Sequence, residues 1–96
     1  MNLKIKSIFF LLLLSYSFLH AQEEVTVKGT VTSAGDGEPI LGANIVILGT
    51  VRGTSTDFDG KYSIKVKSGE IIQFSYLGFV TKTITFKDQR IIDAQL

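Results

Sequence analysis

Two carboxylates followed by a glycine are the residues most suggestive of metal chemistry. Asp57-Phe58-Asp59-Gly60 begins like a calcium-binding EF-hand loop, in which closely spaced carboxylates supply hard oxygen ligands. The remainder of such a loop is missing, because Lys61 occupies its fifth position and no glutamate stands at its twelfth. We therefore interpret the segment as a hairpin turn in which aspartate side chains accept backbone N–H bonds and Gly60 has a positive φ.

Two glycine patterns are similar to phosphate-binding loops but lack the neighbours that such loops need. Six residues rather than four separate Gly53 from Gly60, and Tyr62 replaces the hydroxyl residue that would hold magnesium. The segment also leads into a strand rather than a helix N-terminus, where a phosphate would bind. Gly35-Asp36-Gly37 lacks the strand–helix context of a dinucleotide site, so we interpret it as a turn.

The residue types required for most enzyme chemistry are absent after residue 21, where the sequence contains no His, Cys, Trp or Met. Zinc and most transition-metal sites use His or Cys ligands, and nucleophilic triads need a nitrogen base. The carboxylates of Glu38, Asp57, Asp59 and Glu70 are scattered and predict no acid–base pair. We therefore expect no enzyme activity, no metal site and no cofactor.

The N-terminus has the pattern of a secretory signal peptide over residues 1–21. Lys4 and Lys6 precede an apolar run from Ile8 to Leu19, and the small residue Ala21 comes just before a polar stretch. The apolar run is shorter than the ~20 residues of a comfortable membrane span. The alternative is an uncleaved membrane anchor. The pattern predicts an exported chain whose folded part is residues 22–96.

The folded part is small and nearly neutral. Without Lys4 and Lys6, eight basic and nine acidic residues remain, which gives a net charge of −1. No basic cluster points to nucleic acid as a partner. A domain of this size buries roughly 60% of its unfolded surface and is only marginally stable alone. We therefore expect it to depend on protein partners.

Period-two alternation predicts strands along the whole folded part. Val, Ile and Thr make up 25 of its 75 residues, and β-branched side chains favour a pleated surface. Short Gly- and Asp-containing turns at intervals of about 8–12 residues predict an all-β fold, a small antiparallel β-sandwich of about seven strands. The predicted inward sets are Val25, Val27 and Val31; Tyr62, Ile64 and Val66; Ile72, Phe74 and Tyr76; Val80, Ile84 and Phe86; and Ile92, Ala94 and Leu96.

Two strands depart from simple alternation. Residues 43–48 include four consecutive aliphatic residues, which predicts a central strand covered on both sides. Lys82 interrupts the apolar side of its strand, which predicts a sheet edge. The threonines at 81, 83 and 85 on the opposite side predict a solvated surface rather than a ligand-binding array.

Four aromatic residues raise the alternative of a carbohydrate-binding module. Phe74 and Tyr76 have the parity of core residues, whereas Phe79 has the opposite parity to its neighbours and is predicted to be exposed. With Phe58, they could form a stacking platform only if several of them were exposed. The alternation therefore favours core packing over sugar binding.

The order of the motifs resembles a known family. The motifs are Val27-Lys28-Gly29-Thr30-Val31-Thr32, then Gly37-Glu38-Pro39-Ile40-Leu41-Gly42-Ala43-Asn44-Ile45, then Gly53 through Asp57-Phe58-Asp59-Gly60-Lys61-Tyr62-Ser63-Ile64, and finally Ser75-Tyr76-Leu77-Gly78-Phe79. Over residues 25–96 the chain resembles the carboxypeptidase-regulatory-like domain at the N-terminus of SusC/RagA-type TonB-dependent outer-membrane transporters. The resemblance implies a transthyretin-like, Ig-like β-sandwich and no catalytic residues.

The resemblance also implies structural roles for the motif residues. Gly29 would mark a close backbone approach, Gly42 and Ala43 a tight crossing between sheets, and Tyr62 and Tyr76 packing between the sheets. Pro39 would form the turn before the central strand, and Asp57 and Gly60 would shape a hairpin. The complete set of motif residues is Gly29, Pro39, Gly42, Ala43, Asp57, Asp59, Gly60, Tyr62, Tyr76 and Gly78.

For function, the resemblance implies a non-enzymatic accessory module on the periplasmic side of the outer membrane. Its partners would be a transporter plug and barrel or periplasmic energising proteins, and it would associate with the membrane only through a parent transporter. The last segment is the candidate interaction edge, with Ile91, Ile92, Ala94 and Leu96. No TonB box, plug or barrel follows, so we expect either a fragment of a longer transporter or a free-standing module.

Overall fold

The computed structural model describes residues 23–96, which form seven β-strands and no helix. The predicted signal peptide over residues 1–21 lies outside the described residues. Within residues 23–96, no helix long and apolar enough to cross a membrane is present. The strands are β1 Glu24–Thr32, β2 Asn44–Ile47, β3 Gly53–Ser55, β4 Lys61–Lys67, β5 Ile71–Ser75, β6 Lys82–Thr85 and β7 Ala94–Gln95.

The strands form two sheets, as the prediction of a β-sandwich requires. One sheet has the order β4-β1-β7 and the other the order β3-β2-β5-β6. All strand pairs are antiparallel except β1 and β7, which are parallel with Val31 opposite Ala94. This pair differs from the predicted antiparallel arrangement. The chain leaves β6 at the end of the sandwich where β1 also begins, so β7 runs in the same direction as β1.

The core lies between the sheets and follows the predicted alternation in β1, β4, β5 and β7. Phe74 is the largest side chain in it with no exposed surface, and its ring meets the ring of Tyr62 edge-on at 5.5 Å between centroids. The buried apolar residues are Val27, Val31, Ile40, Ala43, Ile45, Ile47, Tyr62, Ile64, Val66, Ile72, Phe74, Phe86, Ile92, Ala94 and Leu96.

β2 and β6 differ in part from their predictions. β2 is central in its sheet, but only one of its faces is fully covered: Ile45 and Ile47 are buried, whereas Val46 on the other face is half-buried. The reason is that only one sheet packs against it, so its outer face is partly open. β6 is an edge strand, as Lys82 predicted. Val80 lies in the preceding loop and is exposed rather than buried.

Arg52 connects the two sheets at the end of the sandwich where β1 begins. It lies just before β3, and its guanidinium donates a hydrogen bond of 3.1 Å to the Lys65 carbonyl on β4. The same guanidinium forms an ion pair with Glu70, whose other carboxylate oxygen accepts a 2.6 Å bond from the Lys67 N–H. Arg52 thereby covers the outer edge of β4 and fixes the turn into β5.

The stability of this arrangement should decrease in acid. Burial raises the pKa of Glu70, but the bonds from Arg52 and the Lys67 N–H outweigh it and lower that pKa below the ordinary 4.5. A lowered pKa gives stability that is present above pH 4.5 and lost as the pH falls through the folded value. We expect Glu70→Gln to flatten the decline in melting temperature below that pH, measured by circular dichroism. An equally steep decline in the variant would contradict this role.

Candidate interaction site

The Asp57–Gly60 segment is a tight turn that uses its first carboxylate internally. One oxygen of Asp57 accepts bonds of 2.9 Å from the N–H groups of both Asp59 and Lys61. Gly60 has φ +73°, as predicted. The turn is not a hairpin, however, because β3 and β4 belong to different sheets and the chain crosses between them here. Among residues 23–96, no three His, Cys, Asp or Glu side chains are grouped to hold a metal.

Gly60 lies against the segment that contains Pro39. A Cβ at this position would be 2.6 Å from the Val31 carbonyl oxygen and 2.9 Å from the Pro39 Cβ. Pro39 itself forms an antiparallel bridge with Thr32, between β1 and β2. The loop before β2 and the turn before β4 are thus packed together at the end of the sandwich where β1 ends.

Thr56 is a structural residue that no pattern in the sequence indicates. It is the buried polar side chain of the described residues, and its hydroxyl accepts a 2.9 Å bond from the Ala43 N–H while donating to the Ile40 carbonyl. Its backbone also bonds to both Gly42 and Ala43. Thr56 therefore holds the segment from Ile40 to Ala43, in which Gly42 has φ +81°. A threonine among surface threonines gave no signal of this role.

Thr56→Val should destabilise the fold, because it keeps the side-chain volume and removes the hydroxyl. The Ala43 N–H and the Ile40 carbonyl would lose their partner, which should lower the free energy of unfolding by about 2 kcal/mol or more. Thr83→Val, on the exposed side of β6, should change it by less than about 0.5 kcal/mol. Urea denaturation measures both. Equal effects of the two substitutions would contradict the role of Thr56.

Gly29 and Tyr62 together hold the last segment of the chain. They are opposite each other in the β1–β4 pair, and the Tyr62 hydroxyl donates a 2.6 Å bond to the Ile92 carbonyl. A Cβ on Gly29 would be 1.8 Å from the oxygen of that carbonyl. Burial, together with the negative charge of Asp93, raises the pKa of Tyr62 far above its ordinary value, so the phenol stays a donor.

The inward turn of the Ile92 carbonyl changes the ladder between β1 and the last segment. In a regular parallel ladder the Thr30 N–H would donate to this carbonyl. It donates instead to a carboxylate oxygen of Asp93 at 2.8 Å. On either side the ladder is regular, with the Ile92 N–H bonded to Lys28 and the Leu96 N–H bonded to Thr32.

The predicted interaction edge has two sides. Ile92, Ala94 and Leu96 point into the core, and their backbone N–H groups bond to β1. Ile91, Asp93 and Gln95 alternate with them, and within residues 23–96 their backbone N–H and C=O groups have no backbone partner. Ile91 is also 73% exposed. The available edge is therefore formed by Ile91, Asp93 and Gln95, of which the prediction named only Ile91.

Tyr76 is not between the sheets, contrary to prediction. It is 38% exposed, follows the last residue of β5 and precedes Gly78, where the chain turns with φ +89°. The alternation of β5 does not extend beyond its last paired residue. Tyr76 instead contacts Phe79, which is exposed as predicted, with ring centroids 5.8 Å apart and ring planes at 51°. Rings tilted in this way do not form a flat platform for a sugar.

A match to a family model identifies the family of the chain. The CarboxypepD_reg-like domain model matches residues 27–96, which include all seven strands except the first residues of β1. The chain belongs to the CarboxypepD_reg-like domain family. In this CarboxypepD_reg-like domain, the motif glycines and Asp57 shape the turns and close approaches described above.

Curated relatives of this CarboxypepD_reg-like domain are much longer proteins. The chain is similar to a TonB-dependent receptor of Formosa agariphila, with 51% identity over 86% of the chain and 8% of that receptor. A second such receptor of this organism is 43% identical over 92% of the chain and 9% of its own length. TonB-dependent receptor SusC of Bacteroides thetaiotaomicron is 47% identical over 59% of the chain and 6% of its length. The chain therefore spans less than a tenth of these relatives.

Proposed function

We propose that the chain is an exported, non-enzymatic accessory domain that contacts proteins on the periplasmic side of a SusC-like TonB-dependent receptor. The observation that carries the proposal is the family match over residues 27–96, combined with relatives that are TonB-dependent receptors. In this function the domain contacts a receptor plug and barrel or an energising protein. It is associated with the outer membrane only through the receptor.

The use of polar groups within residues 23–96 supports a non-enzymatic role. The buried hydroxyls of Thr56 and Tyr62 both donate hydrogen bonds to backbone carbonyls. The Asp57 carboxylate accepts backbone N–H bonds within its own turn, and the Glu70 carboxylate forms an ion pair with Arg52. These four polar groups are therefore used to stabilise the fold.

The β7 edge is suited to strand addition. An added strand gains backbone hydrogen bonds from an edge whose N–H and C=O groups have no partner. The edge of β4 is different, because Arg52 binds its Lys65 carbonyl. The edge of β6 carries Lys82, a charged side chain of the kind that discourages edge pairing.

Side chains along the β7 edge also favour a partner. Ile91 exposes 73% of its surface there and offers an apolar contact. The Asp93 carboxylate accepts the Thr30 N–H bond and is thereby turned toward β1. An incoming strand would pair with the backbone groups of Ile91, Asp93 and Gln95, which have no backbone partner within residues 23–96.

A proline at position 95 tests the proposal. Gln95→Pro removes one outward N–H and leaves the bonds to β1, because the Gln95 N–H does not point toward β1. The epitope-tagged full chain would be purified from envelope extracts, and co-purified proteins would be quantified by mass spectrometry. We expect an envelope protein bound by the wild type to decrease about tenfold with Gln95→Pro and to persist with Gln95→Ala, the matched control. Loss with neither variant, or with both, would refute pairing at this edge.

A further inference from the structure

Most of the exposed large apolar side chains lie at one end of the sandwich, where β1 and β5 end. Ten large apolar residues are exposed in residues 23–96. Six of them lie in the loops of this end: Leu41, Phe58, Tyr76, Leu77, Phe79 and Val80. Such clustering differs from the scattered exposure that is ordinary on protein surfaces.

A groove of about 320 Å³ crosses this end between the loop before β2 and the loop after β5. Pro39, Leu41 and the rings of Tyr76 and Phe79 form its apolar wall. Asp36 and Glu38 line it as well, and no Lys or Arg of the described residues does. We name this feature the Tyr76 groove.

The two carboxylates of the groove differ in their hydrogen bonds. An oxygen of Asp36 accepts a 3.0 Å bond from the Glu38 N–H and thereby shapes the loop. The Glu38 carboxylate forms no hydrogen bond or ion pair with residues 23–96. Its charge is therefore available to a cation that enters the groove.

We propose that the Tyr76 groove binds a segment of a partner protein that carries a positively charged side chain next to an aromatic or aliphatic one. The inference rests on the proposed function and adds a second contact surface with a defined chemistry. The apolar wall selects the aromatic or aliphatic side chain, and the Asp36–Glu38 rim selects the cation. The tilt of the Tyr76 and Phe79 rings disfavours a sugar ring, which stacks on a flat surface.

The two parts of the groove contribute differently to binding. Aromatic anchors in a pocket usually supply most of the affinity at an interface. Carboxylates at the rim supply selectivity and a dependence on salt. Truncation of Tyr76 should therefore weaken binding more than neutralisation of the rim.

Three labelled peptides of equal length would test the inference by fluorescence anisotropy with the purified full chain. One alternates Lys and Phe, the second Lys and Ser, and the third Glu and Phe. We expect the Lys/Phe peptide to bind at least about tenfold more tightly than the others. Its affinity should decrease when the NaCl concentration rises from about 0.05 to 0.5 M.

Variants of the chain assign the binding to the groove. Tyr76→Ala should weaken binding of the Lys/Phe peptide about tenfold. The Asp36→Asn, Glu38→Gln double variant should weaken it about fivefold. The matched controls are Val51→Ala and Asp88→Asn, an exposed apolar residue and an acid that do not line the groove. They should leave binding unchanged, and melting temperatures would verify that all variants fold.

Several outcomes would overturn the inference. Equal binding of the Lys/Phe and Glu/Phe peptides would exclude selection by charge, and equal loss with the control variants would exclude the groove. Binding of an oligosaccharide that Tyr76→Ala abolishes, with no peptide bound, would make the groove a sugar site. If peptide binding fails while the Gln95→Pro effect on co-purification persists, only this inference fails; if both fail, so does the proposed function.

Discussion

Gly29→Ala is expected to lower the free energy of unfolding by at least about 3 kcal/mol. The added Cβ would be 1.8 Å from the Ile92 carbonyl oxygen, a separation that no pair of such atoms tolerates. Relief would require that the last segment move away from β1. That movement would break the bond from Tyr62 to Ile92 and shift Ile92 out of the core.

Gly35→Ala is the matched control for this substitution. A Cβ at Gly35 would have no neighbour closer than 3.9 Å, and the residue lies in an exposed turn. We expect a change within about 0.5 kcal/mol. Urea denaturation of both variants measures the difference. Similar stabilities would show that the close approach at Gly29 does not constrain the fold.

Phe74→Ala is expected to lower the free energy of unfolding by about 3–5 kcal/mol. Phe74 has no exposed surface and lies on β5 between the two sheets. Its removal would leave a cavity next to Tyr62, whose ring now contacts it edge-on. The small core has few other large side chains that could fill the space.

Phe58→Ala makes the same chemical change at the surface. Phe58 is 84% exposed in the turn before β4, so its truncation should change the stability by less than about 0.5 kcal/mol. Thermal melting followed by circular dichroism compares the two variants. A Phe74→Ala protein as stable as Phe58→Ala would contradict the description of the core.

The sequence predicts the parts of this fold that depend on local alternation. In β4, the residues Tyr62, Ile64 and Val66 are buried and their neighbours are not, because every second side chain of a strand points to the same face. The same rule placed Ile92, Ala94 and Leu96 in the core. These patterns identify a strand whatever its neighbours are.

Features that depend on which segments meet could not be read in this way. The Asp57–Gly60 turn has the residues of a hairpin, yet it crosses between sheets, because the next strand pairs with β1 rather than β3. Likewise, the direction of β7 follows from the path of the chain around the sandwich. Its two residues carry no signal that distinguishes parallel from antiparallel pairing.

The two interaction surfaces also differ in how far local sequence patterns predict them. The sequence predicts the last segment as a sheet edge available for pairing, with Ile91 among its residues. The Tyr76 groove was not predicted, because alternation assigned Tyr76 to the core and because the groove joins loops more than thirty residues apart in sequence. Because β5 ends at Ser75, the alternation of buried and exposed side chains in that strand does not extend to Tyr76.

Photo-crosslinking in living cells tests most directly the claim that this domain functions by protein contact. Benzoylphenylalanine would replace Ile91 at the β7 edge or Val51 in the loop between β2 and β3, both of which are exposed. The cells would export the full chain together with a TonB-dependent receptor. We predict a discrete crosslink from position 91 to a protein of the outer membrane or periplasm and none from position 51. An absence of protein crosslinks from position 91, or equal crosslinks from both positions, would contradict the account.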